Sequence, residues 1–178
     1  MQATPEASES FAEEGRCQLI TLNLPECYVY QVPPARTSAG HRAQDWNVEK
    51  WLQAVAMRIV EQGDTCTVRL EDQSNGALFA ACPIPIDKPL VTAVEPVIDS
   101  SRYFCLKIVD TTGAAMDGMP RHAPRHAFVG LGFAERSHAY DFTATLQDYV
   151  RRMERQQAAE RMRAEARHPQ DVVEAGEE

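Results

Sequence analysis

The sequence predicts a mainly β protein whose last element is one long helix. From about residue 27 to residue 133, short segments in which apolar and polar residues alternate are separated by turn signals, and these segments predict seven strands. Apolar residues then recur every three or four positions, as on the buried face of a helix. They are Ala139, Phe142, Leu146, Val150 and Met153. Many strands followed by one closing helix indicate a pleckstrin-homology-like, seven-stranded barrel or sandwich closed by that helix.

The strands are expected where β-branched and aromatic residues cluster between turn residues. They cover approximately residues 27–32, 52–60, 65–70, 77–82, 91–98, 103–109 and 127–133. A segment at 17–22 extends the first strand across a break near Pro25. Gly130 and Gly132 share one side of the seventh strand, and we expect them to let the helix lie close to the sheet.

The helix is predicted from about Glu135 to Met153, with a charged and exposed extension that stops before Pro169. Composition predicts three regions. They are a disordered acidic tail at 1–15, a folded domain at 16–155, and a charged helical extension with a second disordered acidic tail at 156–178. Residues 116–124 lie in a long loop and are interpreted as an insertion.

The net charge of −8 is located in the two tails. Each tail carries four acidic residues and no lysine or arginine, so the body between them has 18 acidic and 18 basic residues. A neutral body lacks the basic footprint of a nucleic-acid-binding protein, and we expect no nucleic-acid partner. Five cysteines without a C-x-x-C pair indicate reduced thiols in a cytoplasmic protein. The sequence shows no signal peptide and no apolar run of the roughly 20 residues that a membrane span needs.

No group of residues has the pattern of a catalytic or metal site. His122 and His126 are four residues apart, but Pro124 lies between them and disfavours the helix that would align them. The sequence contains neither a nucleophile elbow nor a complete glycine-rich phosphate loop. We therefore expect no enzymatic activity, no metal and no cofactor.

A membrane-targeting function is the alternative, because a pleckstrin-like barrel suggests a phosphoinositide site. Arg36, Arg42 and Arg58 are the candidate lipid-binding residues, and Asp45 and Glu49 dilute their charge. An inositol phosphate needs several convergent cations. A solvated loop is therefore the simpler interpretation of these residues.

Five sets of residues, in order along the chain, resemble one known family. They are VYQVPP at 29–34 with HRAQDW at 41–46, VRLED at 68–72 with GALFA at 76–80, DSSRYF at 99–104, RHAFVGLGF at 125–133, and AYDF at 139–142 with LQD at 146–148. Together they resemble the NECAP family, the adaptin ear-binding coat-associated proteins. The resemblance runs from about residue 27 to residue 153.

The resemblance implies a pleckstrin-like domain that acts without enzymatic activity in clathrin-mediated vesicle formation. The implied partners are clathrin adaptor (adaptin) complexes and endocytic accessory proteins with aromatic-acidic motifs of the Phe-x-Asp-x-Phe kind. The implied location is the cytoplasm at clathrin-coated pits and vesicles, with membrane contact only through the coat. The family also binds the adaptin ear through a C-terminal Trp-x-x-Phe motif. Neither Trp46 nor Trp51 begins such a motif, so we do not expect that mode of binding.

The candidate peptide-binding residues are Ser101, Arg102, Lys107 and Arg136. Arg102 follows a tight turn, and its planar guanidinium suits an acidic or phosphorylated group on a partner. The simpler interpretation is an ion pair between Arg102 and Asp99, worth about 0–1 kcal/mol. We expect an extended peptide to add to a sheet edge near the fifth strand and the start of the helix.

Overall fold

The computed structural model describes residues 17–110 and 125–167; the predicted tail at 1–15, the inserted loop at 116–124 and the end of the chain from 168 lie outside these ranges. In the described part, seven strands precede one long helix. The strands are β1 (Gln18–Gln31), β2 (Gln53–Gln62), β3 (Thr65–Asp72), β4 (Leu78–Pro83), β5 (Val94–Pro96), β6 (Tyr103–Asp110) and β7 (Arg125–Gly132). The helix, α1, is Arg136–Arg167.

Six of the strands close into an antiparallel barrel, and the short β5 is added to it. The hydrogen-bonded order is β4-β3-β2-β1-β7-β6-β5, and β4 also pairs with β6 where Ala81 lies opposite Val109. This second pairing joins the two ends of the sheet. The predicted pleckstrin-like barrel with a C-terminal helix is confirmed.

The first half of α1 packs into the core of the barrel. Its buried residues are Ala139, Phe142, Leu146, Tyr149 and Met153. The ring of Phe142 lies 5.1 Å from that of Phe104 and 5.2 Å from that of Phe133, measured between centroids. Tyr149 takes the buried place that was predicted for Val150, which is only partly buried. The reason is a polar contact outside the periodic pattern, because the Tyr149 hydroxyl donates to the Asp64 carbonyl at 2.8 Å.

Beyond Met153, α1 continues as an exposed, charged rod as far as Arg167. A rise of 1.5 Å per residue makes this extension about 20 Å long. Arg152 anchors its base, since its guanidinium donates to both carboxylate oxygens of Glu61 at the end of β2. Within the described ranges, no helix has the length and apolar character needed to cross a membrane.

Two predicted strand boundaries are wrong, and proline is involved in both. β1 does not break near Pro25, because an irregularity of the register between Leu24 and Cys27 accommodates the proline inside a continuous strand. The fifth strand pairs only over Val94–Pro96 and not over 91–98. Residues Leu90–Thr92 form a 3-10 turn instead, in which the Thr92 hydroxyl donates to the carbonyl of Pro89 at 2.7 Å.

The two glycines of β7 face aromatic rings and not the helix. A Cβ atom on Gly130 would lie 2.6 Å from Cζ3 of Trp46. A Cβ atom on Gly132 would lie 2.7 Å from Cε1 of Tyr103 and 2.8 Å from Cε2 of Tyr30. The expectation that these glycines admit α1 is therefore wrong. The helix packs in the barrel core, whereas these rings belong to a separate cluster on the outer face of the sheet.

Candidate functional site

An aromatic surface covers the outside of the barrel where β1, β7 and β6 lie side by side. It consists of Tyr28, Tyr30, Trp46, Trp51 and Tyr103. The tyrosines alternate with core residues along their strands, so their side chains point outwards. Gly132 of β7 lies opposite Tyr28 of β1 and Tyr103 of β6. The rings thus fill the space that the glycines of β7 leave free.

The aromatic surface has a largely buried layer and an accessible pair. Tyr30, Trp46 and Tyr103 form the layer, with ring centroids 5.8–6.0 Å apart. Burial, and then the neighbouring Tyr103, raise the pKa of Tyr30 to about 12, so its hydroxyl stays protonated. Tyr28 and Trp51 form the pair, with centroids 4.8 Å apart, and Trp51 is 50% exposed. A partner can therefore reach an aromatic edge that lies beside a packed aromatic layer.

The loop between β1 and β2 is held on the barrel by the turn that follows β5. The carboxylate of Asp99 accepts the backbone N–H groups of Ala43 at 2.7 Å and Gln44 at 3.0 Å. Desolvation opposes ionisation, but these two donors, the backbone N–H of Asp99 and the charge of Arg42 together hold the pKa of Asp99 below its usual range. The Ile98 N–H also donates to the His41 carbonyl at 3.0 Å. The loop thus occupies part of the edge where we expected a peptide to add.

Arg102 contacts the start of the helix and not Asp99. Its Nη1 donates to the carbonyl of Ala134 at 3.1 Å, and its own carbonyl accepts the N–H of Phe133 at 3.0 Å. The predicted ion pair with Asp99 is wrong, because backbone donors of the loop already hold that carboxylate. Arg102 directly precedes Tyr103, so it lies at the border of the aromatic surface, and its positive charge partly offsets the raised pKa of Tyr30.

The structure brings three of the four predicted peptide-binding residues towards one end of the barrel. Ser101 is exposed in the same turn as Arg102. Arg136 is exposed in the first turn of α1, two residues after the carbonyl that Arg102 contacts. Lys107 lies further along β6, opposite Phe128 of β7. It is five residues from Arg102, roughly 16 Å along an extended strand.

The three predicted lipid-binding residues do not form one cluster. Arg36 lies in the β1–β2 loop, 3.9 Å from a carboxylate oxygen of Asp45. Arg42 precedes the backbone N–H groups that bind Asp99, so it lies nearer to the Arg102 turn. Arg58 projects from β2, and its Nε lies 3.5 Å from Oε2 of Glu71.

The aromatic residues of the site were missed in the sequence, although a signal for them was present. Tyr28 and Tyr30 flank Val29, a core residue, which predicts two aromatic side chains on the outer face. The seventh strand carries glycine at two alternating positions, Gly130 and Gly132. Aromatic residues on one strand and glycines on another are complementary in size, but their pairing depends on a register that no local pattern determines.

Comparison with known proteins places the chain in a family. Residues 17–177 match a family described as a protein of unknown function, DUF1681. The chain is 38% identical over 144 residues to adaptin ear-binding coat-associated protein 2 of Mus musculus, and 36% identical over 140 residues to adaptin ear-binding coat-associated protein 1 of Homo sapiens. These matches cover 81% and 79% of this chain, but 49% and 46% of the relatives. The chain thus spans about half the length of the curated relatives that it matches.

Two further matches come from a plant protein and a solved structure. An uncharacterized protein of Arabidopsis thaliana is 38% identical over 155 residues, which cover 85% of this chain and 53% of that protein. The Ran-binding domain of Nup2 from Ashbya gossypii has a TM-score of 0.48 and 6% identity, over 76% of this chain and 97% of that chain. That similarity is too low to inform function. The family match over 17–177 shows that the chain belongs to the DUF1681 family, with the adaptin ear-binding coat-associated proteins as relatives.

Proposed function

We propose that this chain is a non-enzymatic accessory module of clathrin coats. Relatives that are 36–38% identical are named for binding adaptin ears and for association with coats. Because the chain spans about half of these relatives, the proposal concerns the pleckstrin-like domain itself. The proposed partners are adaptin complexes and endocytic accessory proteins, and the proposed location is the cytoplasm at coated pits. Membrane contact is through the coat, and no cofactor is required.

The observation that supports a peptide-binding role is the position of Arg102 beside the aromatic surface. One guanidinium nitrogen contacts Ala134, and a guanidinium has five N–H donors in total. Tyr28 and Tyr103 flank Gly132 on neighbouring strands, which places them roughly 10 Å apart. A few extended residues span that distance. An aromatic side chain of the partner would pack on Tyr28 and Trp51 while its acidic group meets Arg102.

The proposal is tested by titration calorimetry with a synthetic peptide that contains a Phe-x-Asp-x-Phe motif. We expect micromolar affinity, about −8 kcal/mol, for a single peptide interface. The Arg102→Glu variant should bind at least roughly tenfold more weakly, a loss of about 1.4 kcal/mol. Arg155→Glu is the matched control, since Arg155 is exposed on the helical extension, and it should bind like the wild type. The thermal midpoint of each variant shows whether it is folded.

Two results would contradict this proposal. Unchanged peptide affinity in folded Arg102→Glu would remove this residue from the site. A pull-down from cell lysate that recovers no adaptor component, together with strong binding to liposomes, would favour the membrane-targeting alternative. In that case binding should depend on Arg36, Arg42 and Arg58.

A further inference from the structure

A charged cluster, formed by Arg58, Arg69 and Glu71, lies on the outer face of β2 and β3. The register places Arg58 directly opposite Arg69. Two like charges in such a cross-strand pair repel, because their Cβ atoms are about 5 Å apart. Glu71 lies between them and is 6% exposed. Its Oε1 is 3.2 Å from Nε of Arg69, and its Oε2 is 3.5 Å from Nε of Arg58.

One carboxylate does not satisfy both guanidinium groups. The side chains of Arg58 and Arg69 are 43% and 37% exposed. In the described part of the chain, Nε of Arg58 is buried without a hydrogen-bond partner, and Arg69 uses only its Nε. Glu71 is directed towards the two Nε atoms, so the terminal nitrogens of both arginines are available to a second anion. The cluster keeps an excess of one positive charge.

Asn23 of β1 lies opposite Arg58, and the other neighbours of the cluster across the strands are small or apolar. Ala56 of β2 lies opposite Glu71, and Ala81 of β4 lies opposite Arg69. Leu78 pairs with Glu71 across the β3–β4 ladder, and both Leu78 and Phe79 are more than a third exposed. An anion that reaches the arginines therefore brings its neighbouring groups against an apolar edge.

We propose that Arg58 and Arg69 bind a carboxylate of an acidic segment in a partner protein, while Leu78 and Phe79 receive an adjacent apolar side chain. One excess positive charge matches one carboxylate. A polyphosphorylated headgroup needs several convergent cations and would be repelled by Glu71. The two strands hold both arginines at fixed backbone positions, and a planar guanidinium donates two parallel hydrogen bonds to a carboxylate. This site is separate from Arg102 and does not depend on the proposed function.

The test uses a short fluorescein-labelled peptide that repeats Ser-Asp-Leu, with a Ser-Asn-Leu repeat as its neutral isostere. Fluorescence anisotropy measures affinity, and the Nε–Hε resonances of the arginines report the contact in the wild-type protein. The double variant Arg58→Gln with Arg69→Gln should bind the aspartate peptide at least about tenfold more weakly. The matched control changes Arg155→Gln and Arg163→Gln, which removes the same charge from exposed positions on α1. This control should bind within about twofold of the wild type.

The double variant leaves Glu71 buried without a cation, so a second variant adds Glu71→Gln and removes the unpaired charge. Loss of binding in either folded variant, with binding retained in Arg102→Glu, supports the site. The site is also supported if the Nε resonances of Arg58 and Arg69 shift when the aspartate peptide is added but not when the asparagine peptide is added. Equal binding of the asparagine peptide, unchanged affinity in the variants, or a response only to vesicles that contain a phosphoinositide would overturn it.

Discussion

Because Gly130 has no side chain, the ring of Trp46 in the β1–β2 loop packs directly against β7 of the barrel. The ring of Trp46 lies so close that a Cβ atom on Gly130 would be 2.6 Å from Cζ3. We expect Gly130→Ala to destabilise the fold by about 1–3 kcal/mol through overpacking, as measured by urea denaturation. The same change in a Trp46→Leu background should cost less, because the clashing atoms are absent. An equal cost in both backgrounds would mean that the contact is not the cause.

Asp99 anchors the β1–β2 loop through two backbone N–H groups, and its contribution depends on pH. Its pKa is lowered in the folded protein, so the stabilisation is present above the unfolded pKa of about 3.9 and is lost as pH falls through the folded value. We expect Asp99→Ala to cost about 1 kcal/mol at neutral pH. The difference from the wild type should shrink when urea denaturation is repeated at about pH 3 and below. A difference that stays constant with pH would show that the ionised carboxylate is not what holds the loop.

At the scale of elements, α1 consists of a packed half and an exposed half. Phe142 is fully buried between two other phenylalanine rings, whereas Met162 on the extension is 70% exposed. We expect Phe142→Ala to lower the free energy of unfolding by roughly 3–5 kcal/mol. Met162→Ala should change it by less than about 0.5 kcal/mol. Guanidinium denaturation measures both, and a change of only a few tenths of a kcal/mol for Phe142→Ala would mean that the helix is not docked.

The folded molecule protects four of its five thiols, since Cys27, Cys66 and Cys82 lie in the barrel core and Cys105 is buried on the outer face opposite Gly130. Burial raises the pKa of Cys27, Cys66 and Cys82 to about 12 and that of Cys105 to about 11. Cys17 is exposed. Because the thiolate is the reactive species, iodoacetamide at neutral pH should modify Cys17 first. The other four should react only at the rate of unfolding, as followed by mass spectrometry. A second thiol that reacts as fast as Cys17 would show that the fold opens locally around that thiol.

The sequence by itself determined the class of fold and most of its elements. Alternation predicted β3 and β6, and spacing of three and four predicted α1. The reason is that apolar residues on the buried face of a strand or helix recur with the period of that element. The set of residues around Arg102 was also recognisable, since this candidate arginine and its turn are contiguous in the sequence. Proline made β1 and β5 harder to predict, because a register irregularity accommodates Pro25 and a 3-10 turn follows Pro89.

Only the tertiary structure decided which distant residues meet. Gly130 faces Trp46 and not the helix, Asp99 holds the loop and not Arg102, and Arg58 lies with Glu71 and not with Arg42. Arg102 was a candidate from the sequence, whereas Tyr28 and Trp51 of the aromatic surface were not considered. The physical reason is that each of these contacts joins segments whose register and packing are set by closure of the barrel. The periodicity of the sequence indicates whether a side chain lies inside or outside the barrel, but it does not determine which residue lies opposite on the neighbouring strand.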